Sequence, residues 1–100
     1  MLWAITCVDN QDTAVLREQH MTVHRAYLDS QKSILVLGGA TLTDSGELAT
    51  GSMFIINVPN RIEAKSFSDS DPFTQAGVFS RVTITRMRKS QWNPKAGENA

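Results

Sequence analysis

The sequence has little of what marks many protein classes. It contains one cysteine and three prolines in 100 residues, and its ten basic side chains balance ten acidic ones. A single cysteine, Cys7, excludes an internal disulfide, and the lack of a basic excess argues against nucleic acid or anionic lipid as a partner. No apolar run approaches the roughly 20 residues that span a bilayer, and the N-terminus lacks a basic leader segment. We therefore expect a soluble, cytoplasmic protein that binds neither nucleic acid nor membranes.

What is present is the composition of one small globular domain. Apolar residues make up 41% of the chain and charged residues 20%, which is ordinary for a folded domain. One hundred residues suffice for one core without disulfide support. Residues 1–88 carry the apolar pattern, whereas residues 89–100 are mostly polar, with Pro and Gly. We predict a single domain over 1–88 and a C-terminal tail over 89–100.

The secondary-structure pattern points to one topology. Short apolar runs predict strands over residues 2–8, 33–42, 50–58 and 78–87. Helical periodicity predicts helices over residues 14–30 and 61–68. The order β-α-β-β-α-β indicates an α+β, ferredoxin-like fold with an antiparallel sheet and both helices on one face. Because nothing in the chain remains to cover the other face, we expect two sheets to stack in a homodimer, a dimeric α/β barrel.

The first predicted helix has an apolar side. Leu16, Val23 and Tyr27 recur at helical spacing, with Val15 and Ala26 beside them. Such spacing is typical of a helix that buries one stripe against a sheet. The sequence therefore predicts that this side faces the core.

A second stripe on the same helix contains two side chains that could bind or react with a ligand. It consists of Arg17, Met21, His24 and Leu28. Arg17 and His24 differ by only about 20° around a helix, so they can address one pocket from successive turns. A solvated helix edge produces the same pattern and is the commoner case. Position alone does not make His24 catalytic.

No metal or cofactor motif is present. His20 and His24 have metal-compatible spacing, but a zinc site needs a third ligand and no further histidine or cysteine pair exists. Gly38 and Gly39 match neither a phosphate loop nor a dinucleotide fingerprint. Cys7 lies in an apolar run and is interpreted as a core residue. We predict no metal and no cofactor.

The stretch "SDSDPFTQAGVF", residues 68–79, places Asp71 directly before Pro72. Asp71 is well placed to cap a short helix that has proline at its first position. It could also orient His24 and make the imidazole a competent acid or base near neutral pH. Both roles can hold at once, and the residues alone do not decide between them.

Several motifs together resemble the YCII-related (YciI-like) family over about residues 2–88. They are Arg17, "HRAYL" (24–28), "GATLTDSGELATGS" (39–52) and "DPFTQAGVFSRVTI" (71–84). Many relatives carry an arginine three residues before the histidine, where this chain has Met21. Arg17 is thereby left as the main cation of the stripe.

The resemblance implies a dimeric α/β barrel with a catalytic His–Asp pair, here His24 and Asp71. On this reading a small aromatic substrate would bind beside Arg17, and Ser52, Ser68 or Ser70 could supply a further hydrogen bond. The characterised activity that it suggests is dehydrochlorination of a chlorinated hydroxyhydroquinone, a lyase reaction without a cofactor. Muconolactone isomerases use a related barrel, so an isomerase is one alternative. A non-catalytic dimeric domain that binds a small molecule is the other.

Overall fold

The computed structural model describes residues 1–100. It contains β1 (Leu2–Asp9), α1 (Ala14–Ser30), β2 (Leu35–Leu42), β3 (Ala49–Asn57), α2 (Arg61–Asp69), α3 (Pro72–Gln75) and β4 (Phe79–Met87). The predicted β-α-β-β-α-β order is confirmed, with α3 as a short addition before the last strand. β2 begins two residues later than predicted because the backbone N–H groups of Ile34 and Leu35 both donate to the Gln31 carbonyl, at 3.0 and 2.9 Å.

The four strands form one antiparallel sheet in the order β2-β3-β1-β4. β1 lies at the centre, where Ile5 pairs with Phe54 of β3 on one side and with Ile84 of β4 on the other. Because side chains alternate along a strand, this register puts Ile5 and Phe54 on the same face of the sheet. The helices cover that face.

A compact apolar cluster fills the space between α2 and the sheet. Its buried members are Trp3, Ile5, Cys7, Phe54, Ile56, Val58, Ala64 and Phe67. α2 is started by Asn60, whose side chain accepts a hydrogen bond from the Glu63 N–H at 2.9 Å, an N-cap that satisfies an otherwise unpaired donor. The cluster holds the sheet against α2 and fixes the position of β3.

The other face of the sheet has no cover in the single chain. Leu37 and Met53 lie on it and are 70% and 47% exposed. The chain after β4 is exposed and ends in a 3₁₀ turn over Pro94–Gly97. None of the helices combines the length and apolar character needed to cross a bilayer. Association through the open face stays a prediction.

Candidate active site

The inward side of α1 is the polar stripe, which corrects the sequence interpretation. Val15 and Val23, predicted to face the core, are 65% and 53% exposed. The buried residues of the helix are Arg17 and His24. The prediction is wrong for Val15 and Val23, whereas Tyr27 packs against the core cluster as predicted. Both polar side chains find buried partners, and those contacts decide which face of α1 turns inward.

Arg17 is held at the end of β1 by Asp9. Its Nε donates to Asp9 Oδ2 at 2.7 Å and its Nη2 donates to Asp9 Oδ1 at 2.8 Å. Both side chains are almost fully buried, at 6% and 5% exposure. A two-bond pair of this kind is geometrically specific. It fastens the first turns of α1 to the central strand.

The same guanidinium also reaches β3. Nη2 donates to the Gly51 carbonyl at 2.7 Å and lies 3.2 Å from Ser52 Oγ. The Thr13 hydroxyl does not cap α1, but donates to Asp9 Oδ2 at 2.7 Å. Nη1 of Arg17 has no protein partner and is not fully buried. It is the one nitrogen of the group that can meet a ligand.

The pKa of Asp9 reflects this network. Burial acts to raise it, but the hydrogen bonds from Arg17 and Thr13 and the charge of Arg17 together outweigh burial and lower the pKa below its ordinary value. Asp9 is therefore a carboxylate at neutral pH. Asp9 is a buried countercharge to Arg17, which the sequence did not predict.

His24 and Asp71 lie together in the second half of the site. His24 Nδ1 is 2.7 Å from Asp71 Oδ1, and the two side chains are 9% and 2% exposed. The other ring nitrogen of His24, Nε2, has no partner and is not fully buried. A carboxylate that accepts a hydrogen bond from Nδ1–H fixes the tautomer of the imidazole and leaves Nε2 as the basic atom.

α3 positions Asp71. The residue before a proline is excluded from the helical region, and Asp71 is accordingly extended, with φ −66° and ψ 124°. Its Oδ1 accepts from the Phe73 N–H at 2.9 Å as well as meeting His24. Asp71 therefore caps α3 and contacts the imidazole with the same oxygen.

Phe73 supports both halves of the site. Its ring is fully buried and stacks on the His24 ring with centroids 3.7 Å apart and an interplanar angle of 0°. The Arg17 guanidinium lies over the same phenyl ring, at 5.1 Å from its centroid. Phe73 therefore fixes the imidazole plane and contacts the clamped arginine.

The sheet edge beside this cluster carries two small residues. Gly38 and Ala40 of β2 pair with Phe54 and Ser52 and share their helix-covered face, and both are exposed. A side chain at position 38 would meet the Phe54 ring, because a Cβ there would lie 2.7 Å from Phe54 Cδ1. Phe54 in turn lies tilted against His24, with ring centroids 6.4 Å apart.

Cys7 lies under the site but cannot act as a nucleophile near neutral pH. Burial, followed by the negative charges of Asp71 and Asp9, raises the pKa of the thiol to about 12. The thiolate is the reactive form of cysteine. Cys7 is a core residue.

The remaining candidates lie apart from the cluster. Ser70 is exposed and lines a separate cavity of about 530 Å³ beside Tyr27 and Phe67. A larger cavity of about 1000 Å³ lies between the open sheet face and the tail, and His24 does not line it. His20 is half-buried, and no group of three or more metal-ligating side chains occurs.

Sequence reasoning missed Asp9 and Phe73. Asp9 ends the first strand eight residues before Arg17, and a carboxylate between a strand and a helix that carries a buried-face arginine was the available signal. Nothing in the sequence marked Phe73 as a stacking partner. The roles assigned to His24, Asp71, Arg17, Ser52 and Ser70 stay predictions.

Comparisons with known proteins agree with this architecture. A family model described as the YCII-related domain matches residues 1–88. A similar solved structure is 5-chloro-2-hydroxyhydroquinone dehydrochlorinase from Burkholderia phenoliruptrix, in complex with 2,5-dihydroxybenzoquinone. It shares 33% identity and a TM-score of 0.80, over 88% of this chain and 94% of that one. A protein from Arabidopsis thaliana has 6% identity and a TM-score of 0.48 over 92% and 97% of the two chains, which is too weak to support an argument. Curated proteins gave no significant match.

Proposed function

The chain belongs to the YCII-related family, and from that premise we propose that it is a cofactor-independent lyase that removes HCl from a chlorinated hydroxyhydroquinone to give a hydroxyquinone. The observation that carries the proposal is the buried contact of 2.7 Å between His24 Nδ1 and Asp71 Oδ1, which leaves Nε2 free. The dehydrochlorinase from Burkholderia phenoliruptrix, 33% identical, supports the choice of reaction.

The first step is a proton transfer at His24. Nε2 takes the proton of a ring hydroxyl, and Nδ1–H remains donated to Asp71, whose charge stabilises the imidazolium. The same proton then passes to the ring carbon that bears chlorine. That carbon becomes tetrahedral, the ring loses its aromaticity, and the first oxygen becomes a carbonyl.

The second step expels chloride. Nε2 of His24, neutral again, takes the proton of a further ring hydroxyl and later releases it to water. The electron pair of that oxygen completes the conjugated quinone, and the C–Cl bond breaks with both electrons on chloride. One proton and one chloride leave in total, so no oxidant or reductant is consumed. Arg17 Nη1 would bind a ring oxygen during both steps, with Ser52 and Ser70 as further hydrogen-bonding candidates.

The test is anaerobic turnover of the chlorinated trihydroxybenzene without added metal or nucleotide, followed by chloride release and quinone absorbance. A positioned acid or base contributes about 10² to 10⁴-fold, so His24→Ala should lose that factor. His20→Ala is the matched control, because it removes the same side chain one turn earlier on the same helix and should keep full activity. No chloride from the wild type would refute the proposal in favour of a non-catalytic binding domain, whereas full activity in His24→Ala would refute the His24–Asp71 mechanism.

The homodimer belongs to this proposal. The uncovered sheet face, with Leu37 and Met53 exposed on it, favours a second copy as its cover. Met53→Glu should dissociate the dimer in a light-scattering measurement of mass, whereas a charge at Val15, exposed on the opposite side, should not. A wild-type chain that stays monomeric at all concentrations would contradict it.

A further inference from the structure

Arg17 cannot offer its usual two-bond clamp to a ligand. A guanidinium has two edges on which parallel N–H groups meet a carboxylate or phosphate. Asp9 occupies the edge formed by Nε and Nη2, at 2.7 and 2.8 Å. The second edge needs Nη2 again, and its remaining N–H is used by the Gly51 carbonyl at 2.7 Å. Only Nη1 is left. Its two N–H groups diverge, so it cannot hold both oxygens of a carboxylate by parallel bonds from two nitrogens.

The charges of the site also disfavour an anion. Asp9 cancels the charge of Arg17 at contact distance, with both groups almost fully buried. Asp71 adds a carboxylate 2.7 Å from His24. The sum over these four groups is minus one with a neutral imidazole and zero with an imidazolium. No net positive charge is available to compensate a buried ligand anion.

We propose that Asp9 determines the charge of the ligand: by occupying Arg17 it restricts the site to rings whose oxygens are hydroxyl or carbonyl groups, and it excludes rings that carry a carboxylate or phosphate. This inference rests on the proposed function, because it defines the class of ring substrate. The inference also distinguishes the two candidate reactions, because the quinol substrate of a dehydrochlorinase has only hydroxyl groups, whereas the lactone substrate of an isomerase carries a carboxylate.

Two probes that differ only by a carboxylate test the inference. Hydroquinone and 2,5-dihydroxybenzoate are titrated into the purified protein under anaerobic conditions, and their dissociation constants are measured by calorimetry or ligand-observed NMR. The wild type should bind hydroquinone at least about tenfold tighter, since a buried charge without a partner costs more than a hydrogen bond contributes. Equal affinity, tighter binding of the benzoate, or no binding of hydroquinone overturns the proposal.

Variants locate the effect at Asp9. Asp9→Asn should move the affinity ratio toward 2,5-dihydroxybenzoate by about tenfold or more, because Arg17 regains an uncompensated charge. Glu18→Gln removes one negative charge from an exposed position on the same helix and should leave the ratio unchanged. An unchanged ratio in Asp9→Asn, or an equal shift in Glu18→Gln, overturns the proposal. If Asp9→Asn does not fold, Asp9→Ser removes the same charge and tests the same shift in the ratio.

Chloride release separates the two proposals. A wild type that releases chloride but binds both probes equally overturns the role of Asp9 alone. A wild type that prefers hydroquinone but releases no chloride overturns the proposed function alone.

Discussion

The helix-covered face of the sheet has two unlike halves. Under α2 lies the apolar half, in which Phe67, Ala64 and Ile56 pack with almost no exposed surface. Under α1 and α3 lies the polar half, in which Arg17 and His24 are as well buried. The first half is held by non-directional hydrophobic contact, and the second by directional contacts between charged groups.

The difference shows how one small domain separates folding from chemistry. α2 is held mainly by packing of its apolar side chains, with one hydrogen bond from the Tyr27 hydroxyl to the Phe67 carbonyl at 2.8 Å. α1 is fixed by hydrogen bonds of 2.7 to 2.8 Å at two points, Arg17 to Asp9 and His24 to Asp71. A helix fastened in this way holds its functional atoms in one geometry, which acid–base catalysis requires.

The largest expected effect is on the rate and lies in the polar half. Asp71→Asn keeps an oxygen that can cap α3 but removes the charge that stabilises an imidazolium at His24. We expect turnover to fall by about 10² to 10⁴-fold with little change in melting temperature. Turnover by the variant is compared with that of Asp69→Asn, an exposed α2 carboxylate. A large loss of stability with unchanged turnover would make the pair purely structural.

The largest expected effect on stability alone lies in the apolar half. Phe67→Ala removes a fully packed ring, 4% exposed, and should lower the free energy of unfolding by about 3–5 kcal/mol. Urea unfolding measures this loss. At temperatures where the variant remains folded, turnover should stay close to that of the wild type. If Phe67→Ala were as stable as the wild type, the Phe67 ring would not be packed as described.

The Asp9–Arg17 pair should make stability depend on pH. Because the pKa of Asp9 is lowered in the folded state, its contribution is complete above the unfolded value of about 3.9 and disappears as the pH falls through the lower folded value. Urea unfolding from pH 7 to 2 should therefore show the wild type more stable than Asp9→Asn at neutral pH. The gap should close below about pH 4. A constant gap at all pH values would contradict the pairing.

The smallest effect is expected on the outer side of α1. Val23→Gln changes a side chain that is 53% exposed and should alter the free energy of unfolding by less than about 0.5 kcal/mol. Leu16→Gln, on a half-buried position of the same helix, should cost more. If Val23→Gln were the more damaging change, the apolar side of α1 would be covered after all.

Most of the fold could be predicted from the sequence because it depends on local patterns. Alternating and continuous apolar runs located four strands, and their order with the helices fixed the topology. The inward face of α1 could not be predicted in this way. Its apolar residues, such as Val15 and Val23, are outward, and the choice depended on whether two polar residues had buried partners elsewhere in the chain.

The contacts of the candidate site also depend on residues that are distant in the sequence. His24 and Asp71 are 47 residues apart, and the residues alone left their association open, so only resemblance to a family favoured it. Asp9 was missed because its neutralising effect on Arg17 depends on the turn between β1 and α1. The sequence shows which side chains can carry a charge, but the folded structure determines which of those charges neutralise each other.

The single oxygen of Asp71 that meets both the Phe73 N–H and His24 has a consequence for mutational tolerance. Selection for a well-formed α3 and selection for an oriented imidazole act on the same atom. A library scored for abundance and a library scored for activity should both reject most replacements at this position. A low tolerance of substitutions at Asp71 therefore does not reveal its role. A replacement that preserves the oxygen and removes only the charge separates the capping of α3 from the orientation of His24.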